Sequence, residues 1–193
     1  MKFVRDVAII IVVAVAISAL IQVTMGSVKV YGVSMFPNIQ HGEYIIVSKA
    51  TYFFHTPQQG DIIVFHSPHN SSSDLIKRII ALPGDSVEIK DGKVFVNNSP
   101  LEERYIVDPP RYIYPRQEVS EGHYFVLGDN RNNSADSHTG WTMPRENIIG
   151  KAWLTYWPPQ KWRLIEHYTP NTGEQNAELN KANLVAEKLC LLK

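Results

Sequence analysis

Three short stretches of this chain carry side chains that chemistry could use. The first is Gly32-Val33-Ser34-Met35-Phe36-Pro37. Gly32 lets the backbone turn or approach another group closely, and Pro37 steers Phe36 away from helix, so Ser34 stands on an extended segment or a turn. A hydroxyl placed there is a nucleophile if a base can reach it; taken alone, it is also what a strand-to-loop corner contains. The second stretch is Leu75-Ile76-Lys77-Arg78-Ile79-Ile80-Ala81-Leu82. Strand alternation puts Leu75, Lys77, Ile79 and Ala81 on one face and Ile76, Arg78, Ile80 and Leu82 on the other. Each face is apolar but for one cation. Such a strand is buried on both sides, where a cation needs a partner or a shifted pKa.

The two cations differ in what burial can do to them. Arginine holds its proton, so Arg78 calls for a carboxylate, whereas lysine can give its proton up. A lysine at ~10.4 is neutral in only ~0.04% of molecules at pH 7, and a pKa of ~8 raises that fraction to roughly 10%. The plain alternative is a strand-end lysine whose amine reaches back to water. The third stretch, Gly128-Asp129-Asn130-Arg131-Asn132-Asn133-Ser134-Ala135-Asp136-Ser137-His138, follows the apolar run Tyr124–Leu127. Short Asn, Asp and Ser side chains bond backbone groups locally and constrain a loop. Polar groups this dense point to positioning work rather than simple solvation.

Other chemistries lack their residues. There is no Gly-x-Ser-x-Gly, His-Glu-x-x-His, Gly-x-x-x-x-Gly-Lys-Ser/Thr or Ser-x-x-Lys motif. The single cysteine, Cys190, excludes an intrachain disulfide and any multi-thiolate metal site. His66 and His69 stand close, but read as surface-loop histidines, so no metal and no cofactor are expected. The 19 basic and 19 acidic side chains cancel, which gives a nucleic-acid partner no electrostatic support.

The elements that must hold these stretches are short. All 12 prolines fall after residue 36 and are spread along the chain, which leaves no room for long helices between Pro37 and Pro159. Runs rich in Val, Ile, Tyr and Phe fill the gaps: Val28–Val33, Tyr44–Val47, Asp61–His66, Leu75–Leu82, Val87–Ile89, Val94–Asn97, Tyr124–Leu127 and Ala152–Trp157. Bounded by turn residues, they read as strands. Asp91-Gly92 is a two-residue hairpin turn. The expectation is a mainly β protein, an antiparallel sheet closed or sandwiched to protect its edges. Residues 97–122, proline-rich and charged, read as a loop or a secondary β insertion, and residues 171–193 as a C-terminal tail.

The start of the chain is different. Val7 to Met25 is a 19-residue run without a charge, preceded by Lys2 and Arg5. As a helix it covers roughly 28 Å, close to a bilayer's hydrocarbon thickness. A cleaved export signal also starts basic and then apolar, but its apolar core is usually ~7–15 residues. An uncleaved single span is therefore expected over 7–25, with residues 1–6 in the cytoplasm and 26–170 outside it.

Taken together and in this order, the stretches resemble the type I signal peptidases, membrane-bound Ser–Lys endopeptidases that remove signal peptides from exported preproteins. Ser34-Met35-Phe36-Pro37 resembles the family's nucleophile box, Gly60-Asp61-Ile62-Ile63-Val64-Phe65 its next strand, Lys77 through Asp85 the general-base box, and Gly128 through Ser137 the last box. With one N-terminal span, the chain is similar to the single-span members. The resemblance implies a barrel-like β catalytic domain, with Ser34 as nucleophile and Lys77 as general base. It implies that Ser134 orients the Lys77 amine, that Arg78 and Asp129 form a buried ion pair, and that Asp136 braces the site from behind. The Ser34 backbone N–H would serve the oxyanion hole; several members add a serine hydroxyl where this chain has Gly32. His138 stands where many carry an arginine paired with the Asp136 equivalent. Val30, Met35 and Ile76 match residues that line shallow pockets for small side chains. The implied partners are preprotein signal peptides and the lipid bilayer, and the implied location is the cytoplasmic membrane, with the catalytic domain on its outer side.

Two rival readings exist. The self-cleaving SOS-response repressors resemble this fold and dyad, but they carry DNA-binding domains and no membrane span. An anchored β-domain that binds a partner through apolar loops would explain the span and Phe36, and would ask nothing of Ser34 or Lys77.

Overall fold

The computed structural model describes residues 2–69 and 73–168; the expectations for residues 171–193 and Cys190 lie outside them. The apolar start is a helix, α1 (Lys2–Thr24). Its 23 residues cover about 34 Å, and none of its apolar span is buried by the rest of the protein. It begins before the expected span, and Met25 belongs to the strand that follows instead of to the helix.

Among the described residues twelve strands follow: β1 (Met25–Lys29), β2 (Tyr44–Ser48), β3 (Ile62–His66), β4 (Asp74–Ala81), β5 (Ser86–Lys90), β6 (Lys93–Val96), β7 (Ser99–Pro100), β8 (Tyr114–Glu118), β9 (His123–Leu127), β10 (Met143–Pro144), β11 (Ile148–Trp157) and β12 (Arg163–Leu164). One further α-helical turn, α2 (Thr51–Phe54), follows β2. The main sheet runs β1-β2-β11-β3-β4-β9-β10, with β12 on β11, and the smaller one runs β7-β6-β5-β8. Their pairings are antiparallel, as the short, turn-bounded runs predict.

Central position explains the doubly apolar strands. Between β11 and β4, β3 has Ile62, Ile63, Val64 and Phe65 all buried. Between β3 and β9, β4 is buried from Lys77 to Ala81. Ile80, Ala81, Phe125 and Leu127 pack with Val87, Val94 and Val96 into the core shared by the two sheets. On the other side, Val30, Met35, Ile45, Val47 and Ile62 form a second cluster beneath the Ser34 turn. His167 ties the chain back across β3 and β11: Ile62 N–H donates to its Nδ1 at 3.0 Å, and its Nε2 lies 2.8 Å from the Ala152 carbonyl. Burial, with the Lys151 charge adding to it, lowers its pKa to about 4, so the ring works there as a neutral donor and acceptor.

Two boundaries differ from the sequence reading. The strand expected over Val28–Val33 starts at Met25 and stops at Lys29, because Gly32 takes φ +88° and turns the chain. The insertion expected over 97–122 contributes β7 and β8, but its sheet also includes the β5–β6 hairpin. That hairpin turns on Asp91 and Gly92 at φ 51° and 69°, as its sequence predicts.

Candidate active site

Ser34 lies in the turn after β1, and two backbone bonds set that turn: Phe36 N–H to the Val33 carbonyl (3.1 Å) and Ile39 N–H to the Met35 carbonyl (2.9 Å). The loop after β9 grips it from the far side. Asn130 N–H donates to the Ser34 carbonyl at 2.9 Å, and Asn130 Nδ2 to the Val33 carbonyl at 3.1 Å. Gly128 makes the approach possible, since a Cβ there would run into both the Ser34 carbonyl and the Ser134 hydroxyl. The Ser34 N–H has no hydrogen-bond partner among the described residues. Gly32 N–H, by contrast, is engaged with His41 Nδ1 at 3.0 Å.

Lys77 reaches the same point from β4. Its side chain is buried, and Nζ donates to Ser34 Oγ at 2.7 Å and to the Ile76 carbonyl at 3.0 Å. Burial lowers its pKa to about 8, while the charges of Asp136 and Asp129 act the other way from a distance. Among the described residues it forms no ion pair, so desolvation prevails.

On the opposite face of β4, Arg78 is fully paired. Nε and Nη2 donate to the two Asp129 oxygens at 2.8 Å each, Nη1 donates to the Gly60 carbonyl at 2.9 Å, and the Tyr105 ring lies 4.0 Å from the guanidinium carbon. Asn38, four residues after Ser34, donates Nδ2 to Asp129 Oδ2 at 2.7 Å. The ion pair is thereby tied to the nucleophile turn. Asp136 is fully buried and accepts from Gly128 N–H at 2.8 Å and from His138 N–H at 3.3 Å, with His138 Nδ1 at 2.7 Å. The Tyr112 ring stacks on His138 at 4.1 Å. Asp136 and His138 thus help to hold the loop that carries Gly128 and Ser134.

One expectation meets a different arrangement. Ser134 lies beside Gly128, but its hydroxyl is buried without a hydrogen-bond partner, and the Lys77 amine uses Ser34 and the Ile76 carbonyl instead. The orienting bond expected from Ser134 is not formed, because the main-chain carbonyl next to Lys77 fills that role. Val30 and Met35 are buried together beneath the turn, with Ile76 packed against them.

Other participants were not assigned roles from sequence. Glu103 receives both Arg131 Nη atoms, one at 2.6 Å, while Arg131 Nε donates to the Gly128 carbonyl at 3.2 Å. Tyr105 donates its hydroxyl to Glu103 at 2.7 Å. Only the dense polar composition of 128–138 hinted at Arg131. Nothing local marked Glu103, Tyr105 or Asn38; apart from the Tyr105–Glu103 bond, the partners that tie them to the site lie 26 to 91 residues away.

The comparisons with known proteins agree in kind. The family model described as signal peptidase, peptidase S26, matches residues 3–157. A probable signal peptidase I-1 from Synechocystis sp. is 44% identical over 143 residues, covering 70% of this chain and 73% of the relative. A chloroplastic thylakoidal processing peptidase 1 from Arabidopsis thaliana is 39% identical over 159 residues, covering 77% of this chain and 47% of the relative, so the chain spans about half the length of that plant protein. A crystal structure of a signal peptidase I from Enterococcus faecalis has a TM-score of 0.46 and 32% identity over 50% of this chain and 97% of its own.

Proposed function

The chain belongs to the signal peptidase family, peptidase S26, serine endopeptidases that cleave signal peptides from preproteins, and from that premise we propose that Ser34 is its nucleophile and Lys77 its general base. The observation that carries this is the 2.7 Å contact between Lys77 Nζ and Ser34 Oγ, made by a buried amine with no carboxylate partner. At a pKa of about 8, roughly one amine in ten is neutral at pH 7. The neutral amine takes the Ser34 proton as Oγ attacks the scissile carbonyl. The resulting oxyanion meets the unpartnered Ser34 N–H. As the tetrahedral intermediate collapses, the Lys77 ammonium returns the proton to the leaving amine. The amine then activates a water that hydrolyses the acyl-enzyme and restores Ser34.

The remaining roles follow from position. Arg78–Asp129 fixes β4 to the loop and, through Asn38, to the nucleophile turn. Asp136 holds Gly128 and so the distance between loop and turn. Ser134 packs beside Gly128 in the loop that grips the nucleophile turn. Val30, Met35 and Ile76 supply the apolar wall on which small side chains before the cut would rest. The helix α1 anchors the enzyme with Lys2 and Arg5 on the cytoplasmic side, the catalytic domain across the membrane, and the cleavage sites of membrane-borne signal peptides at high local concentration.

The test is incubation of the full chain in detergent with a preprotein whose signal ends in Ala-x-Ala. Ser34→Ala and Lys77→Ala each abolish the cut while circular dichroism and thermal unfolding show an intact domain. Undiminished cleavage by either variant removes the dyad.

A further inference from the structure

Asp129 and Asp136 are both fully buried in the loop after β9, and the charges of both act on the Lys77 amine. Their own counter-charges differ. Asp129 is matched by Arg78, a guanidinium that does not give up its proton. Asp136 has one cationic partner among the described residues, His138, whose Nδ1 lies 2.7 Å from Oδ1. A histidine is the side chain that gains or loses its charge between pH 5 and 8. The Asp136 charge is therefore cancelled or left bare by a single proton on His138.

The path from that carboxylate to the amine is short and dry. Asp136 Oδ2 accepts from Gly128 N–H at 2.8 Å, Gly128 lies against the Ser34 carbonyl, and Ser34 Oγ meets Lys77 Nζ at 2.7 Å. Asp136, Gly128 and Lys77 are all buried, so little water or salt screens the interaction. From β3 the residue paired with Lys77 is the apolar Ile63, and Arg78 occupies the opposite face of β4 with Asp129.

His138 itself can exchange its proton with solvent, since its side chain is 20% exposed. The Tyr112 ring stacks on it at 4.1 Å, a face that accepts an imidazolium well. Burial, with the Asp136 charge adding to it, pushes the Tyr112 pKa up, so the phenol stays neutral. Beyond Tyr112, Arg131 and Glu103 pair with each other and cancel.

We propose that His138 sets the strength of the base from behind, resting on the reading of Lys77 as that base: protonated, it cancels Asp136 and lets the amine shed its proton; neutral, it leaves Asp136 to hold the ammonium. His138 acts here through Asp136 and touches no reacting atom. The two protons oppose one another, so the enzyme keeps more neutral amine in mild acid than it would beside a permanently bare Asp136. A bracing role asks only for a donor to Asp136, whereas this role asks for a charge.

The test is the NMR titration of Lys77 in the lysine-labelled full chain in detergent, in the natural protein, His138→Arg and His138→Gln. Both replacements can donate to Asp136, but only arginine brings a permanent charge. Lys77 in His138→Arg should titrate about half a pH unit below Lys77 in His138→Gln. At pH 6 the kcat/KM of His138→Arg for a signal peptide substrate should exceed that of His138→Gln about threefold, with the natural protein between them. Equal Lys77 midpoints in the two variants, or the reverse order, overturn the inference.

A reciprocal measurement leaves His138 in place. Coupling between two sites runs both ways, so the His138 imidazole should take up its proton at higher pH in Lys77→Met than in the natural protein, by a similar margin. A His138 titration indifferent to Lys77→Met overturns the inference even where the His138 variants fail to fold. Cleavage by Lys77→Met would remove the amine as base and leave the coupling standing, so the two readings fail separately.

Discussion

Lys77 and Arg78 follow one another on β4 and are 3% and 1% exposed, yet the strand's two faces treat their cations in opposite ways. The Arg78 face supplies two carboxylate oxygens, a carbonyl and an aromatic ring. The Lys77 face supplies a hydroxyl and a carbonyl, and no negative charge in contact. Burial alone is nearly the same on both sides, so the partner set decides the outcome. One cation is compensated and becomes structure. The other is left costly, which is what makes its amine a base. A cation that cannot lose its proton suits the first face, and one that can suits the second.

Substitution should separate the two faces. Lys77→Met removes the base and should cut kcat/KM by at least about a thousandfold, with no loss of stability on thermal unfolding. Asp129→Leu should do the reverse in kind. It leaves the Arg78 guanidinium buried and unpaired, at a cost of about 3–5 kcal/mol of unfolding free energy, while the protein that stays folded loses far less activity than Lys77→Met. A Lys77→Met domain that unfolds as readily as Asp129→Leu would erase the distinction.

pH sharpens it further. The Lys77 pKa is lowered from 10.5 to about 8 by folding, so the folded state holds that proton less tightly than the unfolded chain does. Above about pH 10.5 the amine costs nothing; between 10.5 and 8 the cost builds; below 8 it levels off at about 3 kcal/mol. Relative to Lys77→Met, the natural protein should therefore gain stability as pH rises from 8 to 10.5, and a pH-independent difference in urea titrations would refute this. The smallest effect belongs to Ser134→Ala. Its hydroxyl is buried without a partner, so its removal should change stability by less than about 0.5 kcal/mol. It should slow cleavage by less than about tenfold, because the Ile76 carbonyl already holds the amine.

The sequence made some of this readable and hid the rest for physical reasons. Strand alternation alone separated Lys77 from Arg78 and demanded a carboxylate for the latter, because a period of two leaves no choice of face. The Asp91-Gly92 turn was equally local. The end of β1 was not, since a glycine's φ interrupts an otherwise strand-like run at Gly32. The Glu103–Arg131 pair and Asn38 escaped notice because their meaning depends on residues far along the chain. The role assigned to Ser134 came from resemblance, and here a carbonyl adjacent to Lys77, invisible to side-chain reasoning, competes for the same amine.

The most direct measurement is the titration of Lys77 itself, followed by NMR of the side-chain carbon next to Nζ in lysine-labelled protein, with Lys77→Met to assign the signal. The account predicts a midpoint near 8. A midpoint at the ordinary lysine value of about 10.4 would contradict it, since the amine would then be charged whenever substrate arrives.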